Sequence, residues 1–351
     1  MALWKVTHSN IGFVEQGEVG ARDLDIQIGL NQANQVGYTI NTSEQLATKE
    51  FTEPYATDFT VYRGSTKIIA GMHTNVQGGL TEHDLKVSGL SYEHYLDRII
   101  WPFDPSNITQ FRFIRTNTDV TVIIKDMLDT IFTSYTDELV MTYTNNPVGI
   151  VMNFRIDLAD TETIFSKIQT LSQAAPGFDF WITPDRALRI VPKRDNTPAF
   201  QLVEGINLVD LTYDNSGPDG NVVLGIGQTA ASKVGKVLSS PTSKTKYRRM
   251  EISKDFGTVA NQAAVDALTQ AELDRASTPV KRITAKTYVE PDDVCYGDLV
   301  NVGDTIRVQG TISDGYDDID DYYRITTAHI SVSDVGDEVI EFGFNEVQAG
   351  A

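Results

Sequence analysis

Residues 161–190 read TETIFSKIQTLSQAAPGFDFWITPDRALRI, and the order of patterns along this stretch decides the class of fold. Ile164, Ile168, Leu171 and Ala175 recur at helical spacing, with Asp160 where an N-cap belongs and Glu162 in the first turn. Pro176-Gly177 ends that helix. Phe178, Phe180 and Ile182 then take every second position, Pro184-Asp185-Arg186-Ala187 turns, and Leu188 and Ile190 alternate back. A helix followed at once by a hairpin is an α/β unit. A second helix is predicted upstream, because Val120, Ile124, Met127 and Ile131 form one stripe behind Asn117 or Thr118 as cap. The β-branched run from Val120 pulls the other way.

On both sides of this unit the sequence turns to strands. Leu24 to Ile28 alternates with period two, and Asp58–Val61 and Thr66–Ile69 flank a turn at Arg63-Gly64-Ser65. A second turn at Gly78-Gly79 separates Val76 from Leu85 and Val87. The apolar run Tyr95–Trp101 is closed by Pro102 and Pro105, which mark a boundary. Towards the C-terminus, strands are predicted at Leu208–Leu211, Asn221–Ile226, Val300–Val302, Thr305–Val308, Arg324–Val332 and Glu338–Phe344, the last two joined through Asp334–Asp337. One helix interrupts them at 258–276, with Thr258 as cap and an alanine stripe suited to close packing on a sheet. The expected class is α+β and β-rich, divided as 1–103, an α/β insertion over 104–200, and 201–351.

At 351 residues the chain exceeds one ordinary domain, and 41% hydrophobic with 22% charged residues describes a globular protein. Forty-eight acidic against 29 basic side chains give −19, which argues against duplex DNA or an anionic membrane as a sequence-independent partner. No run approaches the roughly 18 apolar residues of a membrane helix, and Met1-Ala2-Leu3-Trp4-Lys5 leads into polar sequence, so neither membrane insertion nor a signal peptide is expected. The charge is uneven. Residues 231–250 hold Lys233, Lys236, Lys244, Lys246, Arg248 and Arg249 and no acid, whereas residues 301–351 hold eleven acids and two bases. The basic stretch, with its glycine, serines and Pro241, reads as a long loop that docks an acidic neighbour.

Signatures of chemistry are sparse. His8, His73, His83, His94 and His329 show no zinc spacing, and Gly89-Leu90-Ser91-Tyr92-Glu93 lacks the second glycine of a nucleophile elbow. Gly225-Ile226-Gly227 has no third glycine and no helix opening behind it, so a tight strand end explains it better than a phosphate loop. Cys295, the single cysteine, reads as a buried thiol and excludes an internal disulfide. Asp314, Asp317, Asp318, Asp320 and Asp321 are a weak calcium candidate without the EF-hand glycine, and a solvated loop is the simpler reading. No catalytic residue, cofactor or metal is assigned.

Four stretches together resemble one family, the tail-tip or baseplate hub proteins of long-tailed bacteriophages, often called minor tail proteins. They are the early strands running into Leu96-Asp97-Arg98; the helix from Thr161 with Gly177–Ile182; Asp185–Ile190 with the return through Asn207-Leu208 to Asn221-Val222-Val223; and the alanine helix with Gly297–Val300 and Gly303–Val308. The resemblance implies two β-barrel-like domains flanking the α/β insertion. It implies a homotrimer whose barrels mimic a six-fold ring and adapt the tail tube to a three-fold tip, around the DNA and tape-measure conduit. Its partners would be the distal tail protein, the tape-measure protein and other tip proteins, in a virion assembled in the host cytoplasm. Larger relatives carry a lytic or receptor-binding extension; this chain stops at Ala351, so no enzyme is expected. A β-rich tail-associated hydrolase or carbohydrate-binding module is the alternative.

Overall fold

The computed structural model describes residues 4–346 apart from 11–13, 80–82, 102–112, 135–140, 144–145, 157–161, 174–175, 194–195, 198–199, 230–231, 260, 279, 290–295, 298 and 313–317. Pro102, Pro105, Asp160, Ala175, Cys295, Asp314 and Asp317 lie outside the described residues. The chain is a β-rich α+β protein. Residues 1–211 with 285–347 make one compact unit, and residues 212–284 belong to a second.

The N-terminal part of the first unit comprises β1 (Trp4–Ser9), β2 (Glu15–Val19), β3 (Arg22–Gly29), β4 (Gln35–Asn41), the short helix α1 (Lys49–Thr52), β5 (Asp58–Arg63), β6 (Thr66–Gln77), β7 (Asp84–Ser91) and the short helix α2 (Glu93–Leu96). The strands pair antiparallel in the order β3-β4-β7-β6-β5-β1-β2. Alternation drives this, since Leu24, Ile26 and Ile28 on β3 and Val36, Tyr38 and Ile40 on β4 are all buried.

The α/β segment follows as β8 (Phe113–Asp119), α3 (Val120–Ser134), β9 (Thr142–Tyr143), β10 (Val151–Ile156), α4 (Ile164–Ser172), β11 (Phe178–Ile182) and β12 (Ala187–Pro192). Both predicted stripes are buried in one core: Val120, Ile124, Met127 and Ile131 from α3, and Ile164, Ile168 and Leu171 from α4, against Phe178, Phe180, Leu188 and Ile190. The caps differ from expectation. Asp119, not Asn117 or Thr118, caps α3 by accepting from the Thr121 amide at 2.9 Å. Asn117 has φ 51° and still belongs to the strand. Thr163, whose Oγ1 accepts from the Ser166 amide at 3.2 Å, caps α4.

Beyond β12 come β13 (Gln201–Val203), β14 (Asp210–Ser216), β15 (Val222–Gln228), β16 (Lys233–Ser239), α5 (Pro241–Tyr247), β17 (Glu251–Thr258), α6 (Gln262–Ala276), β18 (Val280–Val289), β19 (Thr305–Thr311), β20 (Asp318–Val332) and β21 (Glu338–Glu346). The long β20 joins the ends of the chain. Its first half pairs with β19, its second half pairs with β3 from Thr327↔Gly29 to Val332↔Leu24, and β21 runs along it. The first and last strands therefore share one sheet. Val300–Val302, predicted as a strand, makes only an isolated bridge at Val300 and then turns. Asp304 Oδ2 accepts from the Asn301 amide at 2.9 Å and Gly303 takes φ 92°, so turn chemistry outweighs the two valines.

Polar contacts fasten the α/β segment to this sheet. Asn31, at φ 57° in the β3–β4 turn, reads the β11 backbone: its Nδ2 donates to Phe178 O at 3.3 Å and its Oδ1 accepts from Phe180 N at 2.7 Å. Gln169 of α4 donates to the Asn31 carbonyl at 2.9 Å, and buried Asp179 of β11 accepts from Arg324 of β20 at 2.5 Å.

Candidate interaction surface

The second unit is a three-stranded sheet in the order β16-β15-β17, with β16 antiparallel and β17 parallel to β15. Helix α6 packs on one face through buried Val265, Thr269, Leu273 and Ala276. The alanine stripe expected to make this contact does not, since Ala263, Ala267 and Ala271 are exposed. The helix starts later than predicted. Asn261 caps it, with Oδ1 accepting from the Ala264 amide at 3.0 Å, while Thr258 is the last residue of β17 and the Val259 amide is held by Gln228 O at 2.9 Å. The glycines of Gly225-Ile226-Gly227 have a packing reason. A Cβ on Gly225 would meet Thr269 Oγ1 at 1.9 Å and one on Gly227 would meet Val259 and Val265 below 3.0 Å, so both let α6 approach the sheet.

The six predicted docking residues fall on regular structure, which corrects the loop expected there. Lys233 and Lys236 lie on β16, Lys244 and Lys246 on α5, and Arg248 and Arg249 on the return to β17. Pro241 does not break the chain; it occupies the first turn of α5 behind Ser240, whose Oγ accepts from the Ser243 amide at 3.4 Å. The return is held by a residue that pattern reading overlooked. Buried Asn221 donates to Arg248 O at 2.5 Å and accepts from the Met250 amide at 2.9 Å. That clamp keeps Arg248 at φ 65°, ψ 177°, a region costly for any side chain but glycine.

Two of the six cations have acidic neighbours: Lys236 lies 3.8 Å from Asp266 and Arg249 pairs with Glu251 at 2.5 Å. Lys233, Lys244, Lys246 and Arg248 have no carboxylate partner among the described residues. Opposite α6, the sheet shows an aliphatic pair directly across the β15–β16 ladder, Leu224 and Val237, 39% and 59% exposed. β16 is an edge, paired with β15 alone among the described residues.

Several groups with perturbed acidity are buried inside the first unit. Thr57 Oγ1 donates to Glu53 O at 3.1 Å and so accepts from His73 Nδ1; His73 Nε2 then accepts from the Tyr38 hydroxyl, which accepts from His8 Nε2, these last three bonds each 2.8 Å. Burial lowers His8 to about 4 and His73 to about 3, so both are neutral at pH 7. Asp58 is pushed up to about 7 by burial and accepts from the Tyr92 hydroxyl, and burial also raises Glu93. A cavity of about 220 Å³ beside the β3–β4 turn offers Lys67 and Tyr296 as its ionisable side chains.

The remaining histidines are dispersed. His329 bonds Asp25 at 2.6 Å, His94 lies beside Tyr55 and Arg98, and the His83 carbonyl accepts from Thr42. Of the calcium candidates, Asp318, Asp320 and Asp321 lie on strand β20, which sends adjacent side chains to opposite faces. Asp320 is held by Arg307 through two bonds of 2.7 and 2.9 Å. Among the described residues no group of three or more His, Cys, Asp or Glu is placed to hold a metal ion.

No family model matches the chain, and no curated protein matches it in sequence. Solved structures do match in shape. A tail protein from Neisseria meningitidis superposes with TM-score 0.63 at 17% identity, over 98% of this chain and 96% of that one. A 43 kDa prophage tail protein from Shewanella oneidensis gives 0.67 at 16% identity, over 97% and 98%. An Escherichia coli type VI secretion component, described as structurally similar to T4 bacteriophage tail proteins, gives 0.54 at 12% identity, over 95% and 75%. The chain therefore shares the fold of these tail proteins.

Proposed function

We propose that this chain is a structural component of a bacteriophage tail tip. The observation that carries the reading is likeness along the whole length: two tail proteins, one of them from a prophage, are matched over at least 97% of this chain and 96% of theirs. In this reading three copies close a ring at the distal end of the tail and adapt the six-fold tube to a three-fold tip. The ring surrounds the conduit for DNA and the tape-measure protein, and contacts the distal tail protein and other tip proteins. The basic residues Lys233 to Arg249 meet an acidic neighbouring surface. A chain of −19 suits a conduit wall that is neutral or negative, because phosphates held by counterion release would stall the genome. The test is the mass of the purified protein by light scattering, with imaging down the particle axis. A three-chain ring with a central opening is expected; a single chain at every concentration, or a two-fold particle, would overturn the reading.

A further inference from the structure

We propose that the β16 edge of one copy takes up strand β2 of the next copy, head to tail. The inference rests on the ring reading above and supplies its seam. Each strand ends a sheet among the described residues: β16 pairs only with β15, and β2 only with β1. An unprotected edge offers a row of backbone donors and acceptors to another strand. Helix α6 guards part of β16, because Gln262 Nε2 donates to the Gly235 carbonyl at 3.1 Å, which leaves the stretch around Val237.

The two edges are opposite in charge. β16 carries Lys233 and Lys236, and the adjoining α5 and turn add Lys244, Lys246 and Arg248, the last three and Lys233 without a carboxylate partner among the described residues. β2 carries Glu15 and Glu18 and no base; Glu15 accepts from the neutral Tyr62 hydroxyl at 2.8 Å, and no cation pairs with either among the described residues. Each edge also shows an exposed valine, Val237 at 59% on β16 and Val14 at 58% just ahead of β2. Pairing β16 with a second β16 would set lysine against lysine, whereas β16 against β2 sets lysine against glutamate. Two different surfaces on one chain make a heterologous contact, and such contacts form a ring where the rotation between copies closes. Nucleic acid is the other anionic candidate; it fits neither the exposed Val237–Leu224 pair nor the −19 of the chain.

The experiment uses two full-length variants altered only at surface positions. Lys233→Glu with Val237→Glu spoils the basic edge; Val14→Lys with Glu18→Lys spoils the acidic one. By light scattering each alone is expected to lose the ring and run at one-chain mass, while their mixture associates again into particles of two chains or more, because each variant keeps one wild-type edge and the two reversed edges carry opposite charges. Amides of 233–239 and 14–19 in the wild-type protein should exchange more slowly in the ring than in the diluted single chain, a readout that needs no variant. A ring that survives either variant, a mixture that stays at one chain, or no change in exchange at either strand overturns the seam. So would binding of a poly(dT) strand that is lost in Lys233→Glu, which would assign the strip to nucleic acid. Wild-type protein that is a single chain at every concentration fails the ring reading itself, and is told apart from these by that result.

Discussion

Arg63 Nε donates to Glu338 Oε2 at 3.0 Å across 275 positions of sequence, and both side chains are almost wholly inaccessible. Trp4 Nε1 donates to the same oxygen at 2.9 Å. Arg63 Nη2 and Glu338 Oε1 are buried without a partner among the described residues, and the knot joins β1, β5 and β21. Breaking it from one side leaves a charge stranded in a low dielectric. Arg63→Met or Glu338→Met should each cost about 3–5 kcal/mol, whereas the double variant should recover most of that loss, as urea unfolding midpoints will show.

The histidine chain predicts a pH effect of fixed sign. His8 and His73 have folded values far below the ordinary 6.5, so the unfolded chain takes up protons first as pH falls. Their contribution is intact above 6.5 and is lost as pH falls towards about 3 to 4, at roughly 1.4 kcal/mol per unit for each site. His73→Gln should therefore lose less stability than wild type between pH 6.5 and 4.5. Parallel unfolding curves for the two proteins would contradict it.

Asp58 acts in the opposite direction over much of the same range. Its folded value of about 7 lies above the ordinary 3.8, so its contribution is present at low pH and lost as pH rises through 7. Asp58→Asn keeps an oxygen for the Tyr92 hydroxyl and removes the buried charge. Its stability relative to wild type should climb from pH 4 to 7 and then level off.

Gly225→Ala tests the approach of α6 to its sheet. The new methyl would collide with Thr269 and Phe256, and overpacking of this kind costs about 1–3 kcal/mol. Adding Thr269→Ala should return much of that, measured as protease resistance of residues 212–284.

Arg248→Gly should separate stability from assembly. Glycine adopts the clamped conformation without strain, so the variant should gain about 1 kcal/mol while losing one of the cations proposed to meet the neighbouring copy. Calorimetry and light scattering on the same sample check the two halves. A stabilised protein that still assembles at wild-type concentration would remove Arg248 from the interface.

Local features were legible in the sequence. Period-two alternation located β3, β11 and β12, and the stripes of Val120–Ile131 and Ile164–Leu171 located both core helices, because burial of one face leaves its spacing in the residues. Caps were misplaced by a few positions, since Asn117, Thr118 and Asp119 are all plausible and only backbone geometry chooses. The pairing of β20 with β3 left no local trace, as register between distant strands is carried by no neighbouring residues. The six basic residues of the candidate surface were named from charge alone. Their secondary structure was misread because Pro241 serves equally to stop a chain and to start a helix, and the alternation Val234-Lys236-Leu238 is weak on an exposed edge.

The sharing of one sheet by the first and last strands sets a timetable for synthesis. At about 5–20 residues per second, β3 waits on the order of 15 to 60 s before the second half of β20 has been made, and Trp4 waits longer for its acceptor 334 positions away. During that interval the growing chain presents an unpaired edge and a half-built core. Such late, non-local closure slows folding and exposes the intermediate to wrong partners. Crowded copies on one message would compete for the same edge, so the yield of folded protein should depend on chaperone supply and on temperature more steeply than the finished fold suggests.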